Sequence, residues 1–461
     1  MAPPGGLFTG TPSCSTPWLE YLIDVVKELR EGGTVTAAES SPATPPSTGQ
    51  RERTTSTRAL RLASTAAVLD ALWHGEAVTG SDLIATTGLT RATVHDVCAD
   101  LIAAGWVEEL ADQRAHGSYA RGRPARRYGL RARAGVVLGL EASSARCTAL
   151  VTDLLGVPLG TAESACRRDA DERRTAAGEA AGAALAEAGA SMDEVLACTV
   201  AVPAPVAASG RVEVRSNPYW VLMDAGLREH LGRRLSCPVR LANDADLAAL
   251  AEGRRGGAAG VLDHITVLAD GGFGAGLVAA GSLVRGRWGR GGEMRWLDLV
   301  SDVGAPIGLG PLLALWDAEG TDAFPDTHGP LEVEPGTGDL EADLERAHRV
   351  LRGAADGDPR ALAVAERAGR HLARVVATAA GLFDPEVVVL AGQLAADLQP
   401  VVDAASRVLP ELLDEPVPRL VTSPLGGGVI AVGAAQQALD DVRAGALDVR
   451  LPGAAAALAE R

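Results

Sequence analysis

The feature that most constrains this chain is an apolar run, Ile265-Thr-Val-Leu-Ala269, that passes directly into Asp270-Gly-Gly-Phe-Gly-Ala-Gly-Leu-Val278. A strand feeding a glycine-rich turn lets backbone N–H groups approach a phosphate, so the stretch reads either as an anion cradle or as a tight hairpin. A similar arrangement stands earlier in the chain. Val136-Val-Leu-Gly-Leu-Glu141 predicts a strand, residues 143–151 its hairpin partner, and a third strand follows Gly156. An alanine-rich helix over 173–190 and a buried strand, Val195-Leu-Ala-Cys-Thr-Val-Ala-Val202, come next. Hairpins alternating with helices, then recurring after the glycine loop, predict a two-lobed α/β architecture with a cleft between the lobes. Because 47% of residues are hydrophobic but only 3% aromatic, the cores must be built from Ala, Val and Leu.

Upstream, the spacing changes to that of a helix-turn-helix. Leu62, Ala66, Leu69 and Leu72 mark one helix, Ser81-Asp-Leu-Ile-Ala-Thr-Thr-Gly88 a short second, and residues 90–104 a third. Gly88 supplies a left-handed exit and Thr90 a side-chain cap for the next helix. Val94, Val97, Cys98, Leu101 and Ile102 are predicted to share the inner face. Thr90, Arg91, Thr93 and His95, with Asp96 beside them, are left outward, where a recognition helix meets the major groove. Strands are expected near 106–110 and 126–130. The connecting loop is a wing: between Arg114 and Arg133 lie Arg114, Arg121, Arg123, Arg126, Arg127, Arg131 and Arg133 without an acidic residue, although the whole chain carries a net charge of −16. Arg121-Gly122-Arg123 is slim enough for its arginines to enter a minor groove, the alternative being a solvated basic linker. Arg51, Arg53, Arg58 and Arg61 flank the unit as further phosphate anchors. Asp96 and Asp100 oppose this reading, since carboxylates on the outer face repel phosphate unless Asp96 accepts from a cytosine amine.

Six cysteines without C-x-x-C spacing fit reduced thiols in a cytoplasm and offer no zinc site. No apolar run reaches the length of a membrane span. Lys27 is the only lysine, which excludes a Walker-type loop. Residues 1–57 read as a disordered leader rich in Pro, Ser, Thr and Gly, with one short amphipathic helix possible around 18–29.

Thr87-Gly-Leu-Thr-Arg91, Gly122-Arg-Pro124, Gly139-Leu-Glu141, Val202-Pro-Ala-Pro-Val206, Asn217-Pro-Tyr-Trp220, Ala242-Asn-Asp-Ala245, the glycine loop, Gly292-Glu293 and Asp384-Pro-Glu-Val-Val-Val-Leu-Ala-Gly392 come one after another in unbroken order. Together they resemble the ROK family, which holds bacterial sugar-responsive repressors and sugar kinases such as glucokinase. The resemblance implies an actin-like, ribonuclease H-like ATPase fold behind a winged helix-turn-helix. It also implies that Asp244 stands where the kinases keep the base for the sugar hydroxyl, with Asn243 and Glu293 on further hydroxyls. A carboxylate within hydrogen-bond reach of an alcohol both orients and deprotonates it. The alternative is that Asp244 simply caps the helix that begins there.

The chain departs from the family where the chemistry is hardest. Asp-x-Gly-Gly-Thr becomes Glu141-Ala-Ser143-Ser144-Ala145, and the second phosphate loop, Gly-Thr-Gly, becomes Asp270-Gly271-Gly272, with Gly274 shortly after. A carboxylate placed against a triphosphate repels it. The family's zinc-binding histidine is replaced by Trp296, expected as a core tryptophan or a stacking surface, and residues 297–315 contain no cysteine.

The expected organisation is a leader (1–57), a winged helix-turn-helix (58–132), an N-terminal lobe (133–245), a C-terminal lobe with closing helix (246–445) and a tail (446–461). The expected function is a cytoplasmic transcriptional regulator, a repressor, without kinase activity, cofactor or metal. It would bind double-stranded operator DNA and a sugar or sugar-phosphate effector, as a homodimer or homotetramer. Residual ATP-dependent sugar phosphorylation and a ligand-free assembly scaffold are the alternatives.

Overall fold

The computed structural model describes residues 49–73, 75–110, 126–166, 169–213, 216–300, 303, 307–319, 340–446 and 451. The helix expected around 18–29, the wing tip with Arg121, Gly122 and Arg123, and residues 320–339 lie outside the described residues, as do the side chains of Arg51, Arg53 and Arg58. The backbone separates into two units, 1–59 and 60–461, and the second carries the winged helix and both lobes.

Helix α1 (Gly49–Leu72) begins upstream of the expected boundary at 58. A two-residue strand, β1 (Val78–Thr79), leads into α2 (Gly80–Thr87), and α3 (Arg91–Ala103) completes the helical part. The local chemistry explains each end. The Thr79 N–H donates to the Asp82 carboxylate at 2.8 Å while the Asp82 N–H donates back to Thr79 Oγ1 at 3.3 Å, a reciprocal cap. Gly88, at φ 69°, ends α2 in the left-handed region, and Thr90 Oγ1 then accepts from the Thr93 N–H at 3.2 Å. β2 (Val107–Leu110) and β3 (Arg127–Leu130) pair antiparallel, and β1, not expected from the sequence, adds to the far edge of β3. Two residues give no periodicity to read.

Two five-stranded sheets of the same connectivity come next. The first comprises β4 (Val136–Ala142), β5 (Arg146–Thr152), β6 (Pro158–Ala165), β7 (Val195–Val202) and β8 (Val239–Asn243), in the order β6-β5-β4-β7-β8. The second comprises β9 (His264–Leu268), β10 (Gly274–Ala279), β11 (Ser282–Leu283), β12 (Val387–Ala391) and β13 (Arg419–Thr422), in the order β11-β10-β9-β12-β13. In each, an antiparallel hairpin edge is continued by two parallel strands. The central strands β7, β9 and β12 are buried throughout, as continuous apolar runs covered on both faces should be.

Helix α4 (Ala170–Ala188) covers the first sheet. It starts earlier than 173 because the Asp169 carboxylate accepts from the N–H groups of Asp171 and Glu172. Ala177, Ala180, Ala181 and Ala184 pack on Leu138, Leu140, Ala149 and Val151, so small side chains seat this helix close to the sheet. Short helices α5 (Pro218–Asp224) and α6 (Leu227–Gly232) come after it, and α7 (Asp244–Arg255) leaves the end of β8. Gly276 on β10 is required here, since a Cβ would lie 2.1 Å from the Ala245 carbonyl oxygen. Helices α8 (Leu309–Glu319), α9 (Leu340–Ala355), α10 (Pro359–Phe383) and α11 (Gln399–Leu412) build the second core, in which Leu312, Leu313, Leu372 and Val375 meet Ile265, Val267, Val388 and Leu390.

The last helix, α12 (Val429–Gly445), returns to the first lobe and packs on β4, β7 and α7. At its C-terminal end Leu439 and Val442 enter one continuous core with Val68, Leu72, Trp73 and Trp106 of the winged helix and Leu154 and Leu196 of the first lobe. The Arg443 guanidinium donates to the Asp70 carboxylate across the same junction, with Nε at 2.8 Å. The winged helix is therefore seated on the C-terminal end of α12.

Candidate functional site

The outer face of α3 presents Arg91, Ala92, His95, Asp96, Ala99 and Asp100 to solvent, with Thr93 half-buried. Val94, Val97, Cys98 and Leu101 are buried beneath. Ile102, expected among them, is 37% exposed, because it falls one position round the helix from Leu101 and beyond the edge of the packed stripe. The Arg61 guanidinium pairs with Asp100 at 2.5 Å. That contact offsets a carboxylate that would repel phosphate and leaves Arg61 less free to anchor one.

The basic run of the wing divides into two parts. Arg126 pairs with Glu109 at 3.2 Å, Arg127 donates to the Ala77 carbonyl at 2.8 Å, Arg131 to the Gly105 carbonyl at 3.2 Å and Arg133 to the Ala188 carbonyl at 3.5 Å. These four brace the sheet and its junction with the first lobe. Arg114, Arg121 and Arg123 belong to the segment outside the described residues.

The second site is the cleft. Asn243 ends β8 and caps α7, its Oδ1 accepting from the Asp246 N–H at 3.0 Å and its Nδ2 donating to the Ala204 carbonyl at 3.2 Å. The cap is thus Asn243, which corrects the alternative reading of Asp244 as the cap. Asp244 Oδ1 instead accepts the Ala245 N–H at 2.8 Å, and no cation pairs with its carboxylate among the described residues. Burial pushes its pKa up to about 7. Glu293 is raised to about 7 by burial and by the Asp244 charge, against the pull of Arg295 and Arg290. Glu141, at the end of β4, is raised to about 8 by burial and then by Asp244, with Arg146 opposing. Three carboxyls that sense one another in a shielded cleft cannot all ionise cheaply. Such groups accept and donate to hydroxyls at neutral pH, and a carboxylate of pKa near 7 is matched to taking a proton from one.

Asp246, which sequence reasoning missed, is 4% exposed, raised to about 6 by burial and paired with Arg285 at 3.1 Å. The signal that could have found it is spacing: Asp244 and Asp246 share the first turn of α7, where one carboxylate facing the cleft turns the other towards the loop after β11.

The phosphate loops hold their own side chains. Ser143 Oγ donates to the Arg146 carbonyl at 3.0 Å and accepts the Arg146 N–H at 3.3 Å, closing the β4–β5 turn on itself. Ser144 is half-buried beside it. Asp270 was expected to face the triphosphate position. Its carboxylate accepts from two backbone N–H groups of the opposite turn, Gln393 at 2.8 Å and Leu394 at 3.1 Å. Gly392, at φ 118°, makes room, for a Cβ there would lie 2.4 Å from Asp270 Oδ2. Burial raises the Asp270 pKa and the two amides pull it back. Across the cleft the Arg146 guanidinium donates to the Gln393 side-chain carbonyl, so a chain of contacts runs from the first lobe to Asp270. Gly272 bridges to Ile307, and Gly274 opens β10 against Ala245.

Trp296 is 52% exposed, which corrects its expected place in the core. Arg295 lies over its ring at 4.8 Å and over that of Trp220 at 5.6 Å. With tryptophan at the histidine position and no cysteine over 297–315, the donors do not fit a zinc ion. Among the described residues no group of three His, Cys, Asp or Glu side chains could hold a metal.

The model of the ROK family matches residues 142–303 and 337–440, and the IclR helix-turn-helix domain matches 62–111. A glucokinase of Halalkalibacterium halodurans is 27% identical over 220 residues, 46% of this chain and 67% of that protein. The DNA-binding transcriptional dual regulator NagC of Escherichia coli is 28% identical over 202 residues, 44% of this chain; the match spans about half of NagC's own length, 49%. A crystal structure of a ROK family transcriptional regulator, a homolog of the E. coli MLC protein, superposes with a TM-score of 0.62 at 21% identity, covering 83% of this chain and 97% of that one. A ROK family glucokinase from Streptomyces griseus, in complex with glucose and AMPPNP, gives a TM-score of 0.53 at 25% identity, covering 66% of this chain and 100% of that one.

Proposed function

The chain belongs to the ROK family and carries a helix-turn-helix domain at its N-terminal side, and from that premise we propose that it is a DNA-binding transcriptional regulator, a repressor, whose kinase-derived cleft senses a small polyhydroxylated ligand without phosphorylating it. The observation that carries the reading is Asp270: its carboxylate already satisfies the two amides that an anion would otherwise meet at this turn. The buried carboxyls Asp244 and Glu293, both raised towards neutrality, with Asn243 next to Asp244, support a sugar or sugar phosphate as effector. Double-stranded operator DNA is read by Arg91, Thr93 and His95, with the wing arginines on phosphate. A homodimer or homotetramer places two such helices on a palindromic site.

The route from effector to DNA runs along α12, which packs on β4, β7 and α7 and ends in the core shared with the winged helix. A ligand that prefers one arrangement of the lobes shifts the population of DNA-binding geometries by its difference in affinity for the two.

The test is a gel-shift titration on the chain's own promoter region over a range of salt, with and without candidate sugars. Salt-sensitive retention that a sugar reverses supports the reading, and absence of salt-sensitive binding at any promoter overturns it. One observation favours a second reading, a residual sugar kinase: Asp244 keeps the pKa of a working base. Calorimetry with magnesium ATP separates the two, since no heat eliminates the kinase.

A further inference from the structure

Arg173, in the first turn of α4, has no solvent exposure, and no carboxylate pairs with it among the described residues. Its N–H groups donate to the carbonyls of Ser143 at 2.5 Å, Ala142 at 2.9 Å and Met223 at 3.2 Å, while Nε lacks an acceptor. Carbonyl dipoles orient a guanidinium without neutralising it, and a buried charge is costly unless an anion compensates it. The ionisable group in contact is the Cys166 thiol, 3.7 Å from Nη1.

Cys166 does not stand alone. It is the first residue past β6, at the rim of the sheet and 7% exposed, its Sγ 3.8 Å from the Ser143 carbonyl, and Cys147 on β5 is fully buried beside it. Cys147 lies opposite Ser164, two residues before Cys166, so both side chains project to the same face. The Cys147 Sγ also reaches the Arg173 carbonyl at 3.9 Å. The hydrogen bond from Cys147 holds the Cys166 thiol below the ordinary range; burial opposes this, and the Arg173 charge adds to it. Cys98, Cys198 and Cys237 are all pushed up by burial.

We propose that Cys166 and Cys147 are a peroxide-responsive pair that closes to a disulfide, with the Arg173 guanidinium as the charge beside the attacking Cys166 sulfur. The Cys166 thiolate attacks one oxygen of hydrogen peroxide, forming Cys166–S–OH and releasing hydroxide. The hydroxide takes the Cys147 proton to become water. The Cys147 sulfur then displaces a second hydroxide from Cys166, forming the S–S bond, and that hydroxide is protonated by solvent. Two thiols have lost two electrons and one peroxide has become two waters. Because Cys166 lies just past the strand end, bringing its Cα within the ~4.4–6.8 Å that a disulfide needs moves a rim residue and no sheet interior. Closure also removes the thiolate from Arg173, the same guanidinium that pins Ala142 and Ser143 after Glu141, so oxidation is transmitted to the cleft loop.

The test uses the full chain treated with hydrogen peroxide, alkylated in denaturant and mapped by mass spectrometry. The expected result is the loss of two titratable thiols and a crosslinked peptide joining 147 and 166. Cys147→Ser should yield a sulfenic acid trapped on Cys166 by dimedone, and Cys166→Ser should leave Cys147 unreacted. Arg173→Met should slow alkylation of Cys166 in the native protein about tenfold at neutral pH. If that variant does not fold, the pH profile of Cys166 alkylation in the unaltered chain decides, with a midpoint expected well below ~8.5. Both thiols surviving peroxide, or a midpoint at or above that value, overturns the proposal.

Discussion

Asp244→Asn should stabilise the unliganded protein at mildly alkaline pH and weaken its ligand. In the fold the Asp244 carboxyl keeps its proton up to about pH 7, against an ordinary value of 3.8, because burial penalises the charged form. Between those two values the folded chain binds more protons than the unfolded chain. Stability from this group is therefore full below about pH 4, falls as the pH rises towards 7, and is level above it. At ~1.4 kcal/mol for each tenfold change in proton affinity, ionisation within the fold costs at most ~4 kcal/mol. Asp244 keeps some solvent access at the cleft floor, and screening there brings the figure to ~2 kcal/mol. Asparagine cannot ionise, yet its Oδ1 can still accept the Ala245 N–H. Thermal unfolding followed by calorimetry from about pH 4.5 to about pH 8, without ligand, should show the variant melting roughly 3–5 °C higher at the alkaline end, with the gap narrowing steadily towards the acid end. A parallel profile, or a lower midpoint at about pH 8, would refute the reasoning that this carboxyl is held against its own burial. In the same samples the affinity for an activating sugar should drop at least tenfold, the usual cost of removing a charged hydrogen-bond partner of ~1.5–3 kcal/mol.

Further outcomes are expected at the loops, the recognition helix and the domain junction. Asp270→Ala leaves the amides of Gln393 and Leu394 without an acceptor and should destabilise the protein by about 1–3 kcal/mol in urea unfolding. Asp270→Gly alone should not produce sugar phosphorylation in a coupled assay, because Ser143 still closes the first loop on Arg146; measurable turnover would contradict this. Arg91→Ala should lower operator affinity and reduce the slope of log affinity against log salt by about 1 if it meets a phosphate, and an unchanged slope with altered base preference would move it to the groove. Asp70→Ala breaks the Arg443 contact at the junction of α12 and the winged helix, and should leave DNA affinity within about threefold while blunting its response to effector; an intact response would place the coupling elsewhere.

The secondary structure was legible wherever its causes are local. Thr90, Gly88 and the stripe of Val94, Val97 and Leu101 specify a sharp helix-turn-helix, because a cap, a left-handed glycine and a 3.6-residue repeat act within a few positions. Hairpins alternating with helices and recurring after the glycine loop specified the two-lobed fold, since the same strand connectivity appears in both sheets, while the motifs from Gly139 to Gly392 carried the family resemblance. Ile102 and α1 show the limit of local reading: the width of a buried stripe and the start of a long helix depend on what packs against them.

Partners were decided in space. Asp270 in sequence is a carboxylate in a phosphate loop; only the approach of the turn after β12, more than a hundred residues later, gives it two amides to bind. Arg61 and four arginines of the wing read as phosphate anchors, and the fold gives them Asp100, Glu109 and backbone carbonyls instead. Arg173 in sequence only opens the expected alanine-rich helix, and burial against β4 and α5 brings its guanidinium to three carbonyls and to the Cys166 sulfur. The reason is the same in each case. Backbone conformation follows from a residue and its near neighbours, whereas the charge state and bonding of a polar side chain depend on which distant segments exclude water around it.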